Sequence, residues 1–129
     1  SISFTVEHFT TKNHNGKIIS SLSRGAGILN DKLRNEHTDF LFESILELKS
    51  VDECYDFFED LCTVNELRSM SQRLAVAKML TEKSVYSDIV KKTGASTATI
   101  SRVNRSLSYG CGGYDNVFAR LSTDEKKKK

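Results

Sequence analysis

One stretch, Val85 to Leu107, constrains this chain more than any other: VYSDIVKKTGASTATISRVNRSL. Ile89 and Val90 sit between polar residues, and the run stops at Gly94, the residue that most readily takes the left-handed conformation closing a helix C-terminus. Ser96 then offers an N-cap. Beyond it the large apolar residues are Ile100, Val103 and Leu107, three and four apart, as a single buried helical stripe requires. The spacing predicts two helices and a tight turn, a helix-turn-helix. Thr97, Ala98, Thr99, Ser101, Arg102 and Arg105 fall off that stripe, with the short ones crowded at its leading end. The major groove of duplex DNA admits a helix only if its first residues let the backbone come close, and Ser, Thr and Ala can meet base edges and thymine methyls there. The positive end of a helix beside phosphate adds to this.

Two short helices joined at a glycine also occur in helical domains that never touch nucleic acid. Charge separates the cases here. Lys83, Lys91, Lys92, Arg102 and Arg105 surround the unit against one acid, Asp88, although the whole chain carries only +2. A basic face on a nearly neutral protein points to a phosphate partner more strongly than a basic average does. The expected DNA contacts are Ser96, Thr97, Ala98, Thr99 and Ser101 on base edges, directly or through water, and Lys91, Lys92 and Arg105 on phosphates.

The 129 residues suit one domain with a moderate core. No apolar run approaches a membrane span, and the start lacks the order of a signal peptide. Three cysteines, Cys54, Cys62 and Cys111, form no CxxC pair. Reduced thiols in a cytoplasm are expected, with Cys54 and Cys62 in the core. His8, His14 and His37 match no metal-ligand spacing, so no metal is expected. With no proline and little strand-like alternation, the composition is all-α.

Residues 1–30 differ from the rest. Ser1–Val6 alternates like a strand, and turn-rich, weakly patterned sequence follows. This segment is expected to be an arm or leader, and no function is built on it. Residues 31–122 form the helical domain. Phe40, Leu41, Phe42, Ile45, Leu46 and Leu48 cover most of a helix circumference, which predicts burial from two sides and hence a homodimer. Ser50–Glu53 and Thr63–Glu66 read as capping boxes that open the next two helices, the second ending near Lys83. A flexible break is expected over Ser108–Gly113, then a short closing helix through Tyr114, Val117, Phe118 and Leu121. Residues 123–129, with four terminal lysines, are expected to be a disordered basic tail.

No enzymatic constellation emerges. The glycines around Cys111 lack phosphate-loop order, and no nucleophile, base and orienting acid can be assembled, so no catalytic residue is expected.

Residues from about Leu33 to Leu121 resemble the Trp repressor family, and within it the TrpR-like branch of the YerC/YecD type. The likeness is strongest over Leu61–Leu67, Gln72–Leu74 and Thr93–Leu107. It implies an intertwined all-helical dimer whose paired helix-turn-helix units bind operator DNA and regulate transcription, as a repressor rather than an activator. It further implies tryptophan as corepressor, its indole between Arg73 and Arg102, with Thr63 and Ser106 at its ends. Against tryptophan stands Val103, where the repressor has glycine: a β-branched side chain there occupies space the indole needs, at a cost of about 1 to 3 kcal/mol or more. The expectation is another small effector or none. The alternative from a different class is a protein-interaction module on the same fold that has lost DNA binding.

Overall fold

The computed structural model describes residues 31–129 and the short segments Thr11–Lys12 and Ile18–Ile19. The chain divides into two compact units, residues 1–35 and 36–129. In the first, β1 (Thr11–Lys12) and β2 (Ile18–Ile19) pair antiparallel, Thr11 opposite Ile19 and Lys12 opposite Ile18. The expected strand at Ser1–Val6, like His8 and His14, lies outside the described residues.

The second unit is a succession of helices: α1 (Glu36–Leu46), α2 (Val51–Leu61), α3 (Val64–Thr81), α4 (Tyr86–Thr93), α5 (Thr97–Tyr109) and α6 (Gly113–Lys127). The fold is all-α, as its composition indicates. Local chemistry sets the boundaries. Thr63 Oγ1 accepts from the Glu66 amide at 3.2 Å, and Glu66 Oε2 accepts from the Thr63 amide at 2.9 Å, a complete capping box. Ser50 makes half of one: its Oγ accepts from the Glu53 amide at 3.1 Å, but the Glu53 carboxylate takes the amide of Lys49, at 2.8 Å. α3 stops two residues before Lys83. The Ser84 amide reaches back to Met79 O and the Lys83 amide to Leu80 O, each at 3.0 Å, with Lys83 itself at φ 64°. This is a Schellman closure with lysine in the place glycine favours.

The core is small and lies between α3, α4 and α5. Val76, Ala77, Ile89, Ala95, Ile100 and Val103 are at most 2% exposed. Met79, Leu80, Leu107, Tyr114 and Phe118 pack around them. α6 joins through Tyr114 and Phe118, stacked with centroids 6.1 Å apart, and Lys78 Nζ lies 5.4 Å from the Phe118 ring centre.

α1 and α2 contribute no buried residue. Phe40, Phe42, Leu46, Val51 and Tyr55 are all more than half exposed. Cys54 and Cys62 are accordingly half-buried and not the core residues expected, because α2 lies outside the packed cluster.

The tail also departs from expectation. Residues 123–127 are not disordered but continue α6, which is 15 residues long. Asp115 in its first turn and Lys126 and Lys127 in its last complement the helix dipole. The Ser122 and Thr123 hydroxyls fold back on the carbonyls of Phe118 and Ala119, at 2.9 and 3.0 Å. The break before α6 narrows to Gly110, Cys111 and Gly112. Among the described residues no helix is long and apolar enough to cross a membrane, and no acid, histidine and cysteine cluster forms a metal site.

Candidate nucleic-acid interface

The α4–turn–α5 unit is held from beneath by four side chains: Ile89 of α4, Ala95 of the turn, and Ile100 and Val103 of α5. The turn is tied polar group by polar group. Thr93 Oγ1 donates to Ile89 O at 2.6 Å and accepts from the Ala95 amide at 3.2 Å. The Gly94 amide closes on Val90 O at 2.9 Å while Gly94 takes φ 69°. A Cβ at Gly94 would meet only Gln72 Nε2, at 4.0 Å, so backbone conformation and not space calls for glycine there. From α3, Gln72 Nε2 donates to Thr93 O at 3.0 Å and fixes the end of α4 to the scaffold.

Gln72 is the residue the sequence reading gave no role. A signal was present: it stands one turn ahead of Val76, in register with the buried stripe, and an amide at such a position needs a polar partner.

Above that base, the leading end of α5 stands outward. Ser96, Thr97, Ala98 and Ser101 are exposed and Thr99 is half-buried. Ser96 caps the helix, its Oγ accepting from the Thr99 amide at 3.1 Å and lying 3.0 Å from Thr99 Oγ1. These two hydroxyls are therefore engaged with each other. Thr97 and Ser101 share one face by their spacing of four, and Ala98, Arg102 and Arg105 an adjacent one.

Lys91, Lys92, Arg102 and Arg105 are exposed. None enters an ion pair, since Lys78–Glu82 at 3.4 Å is the one salt bridge among the described residues. Lys91 and Lys92 occupy the last turn of α4, where cations also complement the helix dipole. The result is an outward helix tip of short side chains, with cations at the end of α4 and farther along α5 that enter no ion pair among the described residues, an arrangement able to meet a duplex at base edges and phosphates.

The four residues expected around an effector lie on α3, its N-cap and α5. Thr63 lines a cavity of about 420 Å³ with Tyr55, Phe58, Cys62 and Arg68, to which Arg73, Arg102 and Ser106 contribute nothing. Thr63 Oγ1 is committed to the α3 cap. Arg73 Nη1 donates to Ser69 Oγ at 3.2 Å, within its own helix. Arg102 and Ser106 are exposed on α5, and Val103 between them is 2% exposed within the core.

Comparison with known proteins adds three findings. The Trp repressor protein family profile matches residues 36–122. The chain is 55% identical over 95 residues to the uncharacterized protein YerC of Bacillus subtilis strain 168, covering 74% of this chain and 91% of that one. It is similar to two crystal structures. A TrpR-like protein from Eubacterium eligens is 63% identical, with a TM-score of 0.70 over 72% of this chain and 96% of that one. A candidate Trp repressor from Staphylococcus aureus is 50% identical, with a TM-score of 0.72 over 74% and 96% of the two chains.

Proposed function

The chain belongs to the Trp repressor family, and on that premise we propose that it is a dimeric, sequence-specific DNA-binding regulator, a repressor, that lays α5 in the major groove. The family is one of DNA-binding regulators and not of enzymes. The observation that carries the reading to this chain is the outward tip of α5, with Thr97, Ala98 and Ser101 exposed among the unpaired cations Lys91, Lys92, Arg102 and Arg105. Short side chains let the backbone approach base edges, and the cations neutralise phosphates on either side. The setting is the cytoplasm, with the cysteines reduced.

Dimerisation is supported by α1 and α2, which expose Phe40, Phe42, Leu46, Val51 and Tyr55 while burying nothing within the chain. A second copy that covers them also sets the spacing of two α5 helices, as half-sites one helical turn apart require. The interaction-module alternative draws on exposed apolar side chains alone, which occur on α1–α3 and also at Tyr86 and Val90 of α4, Tyr109 of α5 and Val117 and Leu121 of α6, and it gives the cations of α4 and α5 no role.

No tryptophan corepressor is part of this reading. Val103 is packed among Val76, Ile89 and Ile100, so a β-branched side chain holds the place that glycine takes in the repressor.

The test is fluorescence anisotropy of the full-length protein with genomic fragments. Ser101→Asp and Arg105→Glu are each expected to weaken binding at least tenfold, and wild-type binding to fall steeply with salt. Undiminished affinity in both variants would show that α5 is not the DNA-facing helix. Added tryptophan is expected to change affinity less than twofold; an enhancement of tenfold or more would overturn the effector reading.

A further inference from the structure

We infer that α5 selects thymine through its C5 methyl group, and that Thr97 and Ala98 are the residues that do so; the inference rests on the DNA-binding reading above. Base pairs differ in the major groove by their donors and acceptors and by that methyl. Guanine and adenine are singled out by paired hydrogen bonds from Arg, Lys, Asn or Gln. The exposed side chains at the leading end of α5 are Ser96, Thr97, Ala98 and Ser101, and none carries an amide or a guanidinium. The nearest such groups on the helix are Arg102, Asn104 and Arg105. Arg102 lies four residues behind Ala98, about 6 Å along the axis at 1.5 Å per residue, and Arg105 about 10 Å behind it. A helix that enters the groove by its N-terminal end keeps these at the rim, where phosphates are.

Hydroxyls at the tip discriminate poorly. Ser96 Oγ is held by the Thr99 amide and hydroxyl, at 3.1 and 3.0 Å. The Thr97 and Ser101 hydroxyls both donate and accept, so either purine edge satisfies them. The base-specific feature left for this surface is apolar. Thr97 Cγ2 and Ala98 Cβ supply the only carbon-terminated groups among the four exposed tip residues, and the thymine methyl is the only apolar group a base pair offers in the major groove. Burying one methyl contributes about 0.8 kcal/mol, close to a fourfold change in affinity, and the symmetric pair in two half-sites about 15-fold.

The experiment uses the full-length protein and duplexes it selects from a random library, with deoxyuridine then replacing thymidine one position at a time. Uracil keeps every hydrogen-bonding group and lacks only the methyl. At one or two positions in each half-site the replacement is expected to weaken binding about fourfold, and about 15-fold when made in both halves. Thr97→Ser, which keeps the hydroxyl, or Ala98→Gly is expected to abolish that penalty at its own position, with folding verified by circular dichroism. Uracil equal to thymine within twofold everywhere, in selected duplexes that still bind tightly, would overturn the methyl inference and leave DNA binding standing. So would a uracil penalty unchanged in both variants, which would assign it to duplex shape. Failure to enrich any duplex overturns the DNA reading and this inference with it.

Discussion

Helices α1 and α2 are richer in large apolar side chains than α4 and α5, yet α1 and α2 bury none of them and α4 and α5 supply half of the core. The difference lies in arrangement. In α5 the apolar residues Ile100, Val103 and Leu107 form one stripe that α3 and α4 can cover. In α1, Phe40, Leu41, Phe42, Ile45 and Leu46 extend round the helix, and among the described residues no neighbouring element covers that circumference. The α4–α5 unit covers its apolar stripe within a single chain, whereas α1 and α2 leave large apolar side chains exposed.

The comparison breaks most directly at α1. Phe40→Asp combined with Leu46→Asp removes four apolar side chains from a dimer, each contributing about 1.5 to 3 kcal/mol when buried, or roughly 6 to 12 kcal/mol in all. Sedimentation velocity is expected to show a monomer at micromolar concentration. A dimer that persists would place the interface elsewhere and leave the exposure of α1 without a purpose.

A core substitution acts on the other half. Ile100→Ala empties the centre of the α3–α4–α5 cluster, where Ile100 is fully buried. The expected loss is about 2 to 5 kcal/mol, and a fall in Tm of roughly 10 °C or more in calorimetry. A loss below about 1 kcal/mol would mean that the cluster collapses around the gap and is less rigid than its burial implies.

The same contrast governs what the sequence disclosed. The α4–α5 unit was readable because its determinants are local: a stripe at helical spacing, Gly94 to end one helix and Ser96 to begin the next. The excess of apolar surface on α1 was readable too, as a count around a helical wheel. Features that depend on a choice between near-equivalent partners were not. Glu53 turns to the Lys49 amide instead of that of Ser50, and Gln72 finds Thr93 O across a separation of 21 residues. The lysines at residues 126–129 suggested a solvated tail, but the carbonyl ends of α6 are where cations favour helix, and the helix runs on to Lys127.

Ser96→Ala sharpens the comparison at the tip. Loss of the bond from the Thr99 amide leaves the first turn of α5 uncapped, and the expected cost is about 1 kcal/mol, read as a small shift in the denaturation midpoint. Because Ser96 Oγ is engaged with the Thr99 amide and hydroxyl, affinity for DNA should fall by less than threefold. A much larger loss, with folding intact, would give Ser96 a direct contact with the duplex.

The smallest effect is expected at Lys83, and it separates backbone from charge. The residue sits at φ 64° in the closure of α3, a conformation costing a residue with a Cβ about 1 to 2 kcal/mol. Lys83→Gly relieves that cost and gives back about 0.4 to 1 kcal/mol through the greater freedom of the unfolded chain, for a net gain near 0.5 to 1 kcal/mol. The cation is lost in the same step. If Lys83 neutralises one phosphate in each subunit, the slope of log affinity against log salt should shrink by about 2 for the dimer. Higher stability with a shallower salt slope would mean that the lysine is kept for its charge at a site better suited to glycine. Higher stability with an unchanged slope would confine the DNA-facing cations to those on α4 and α5.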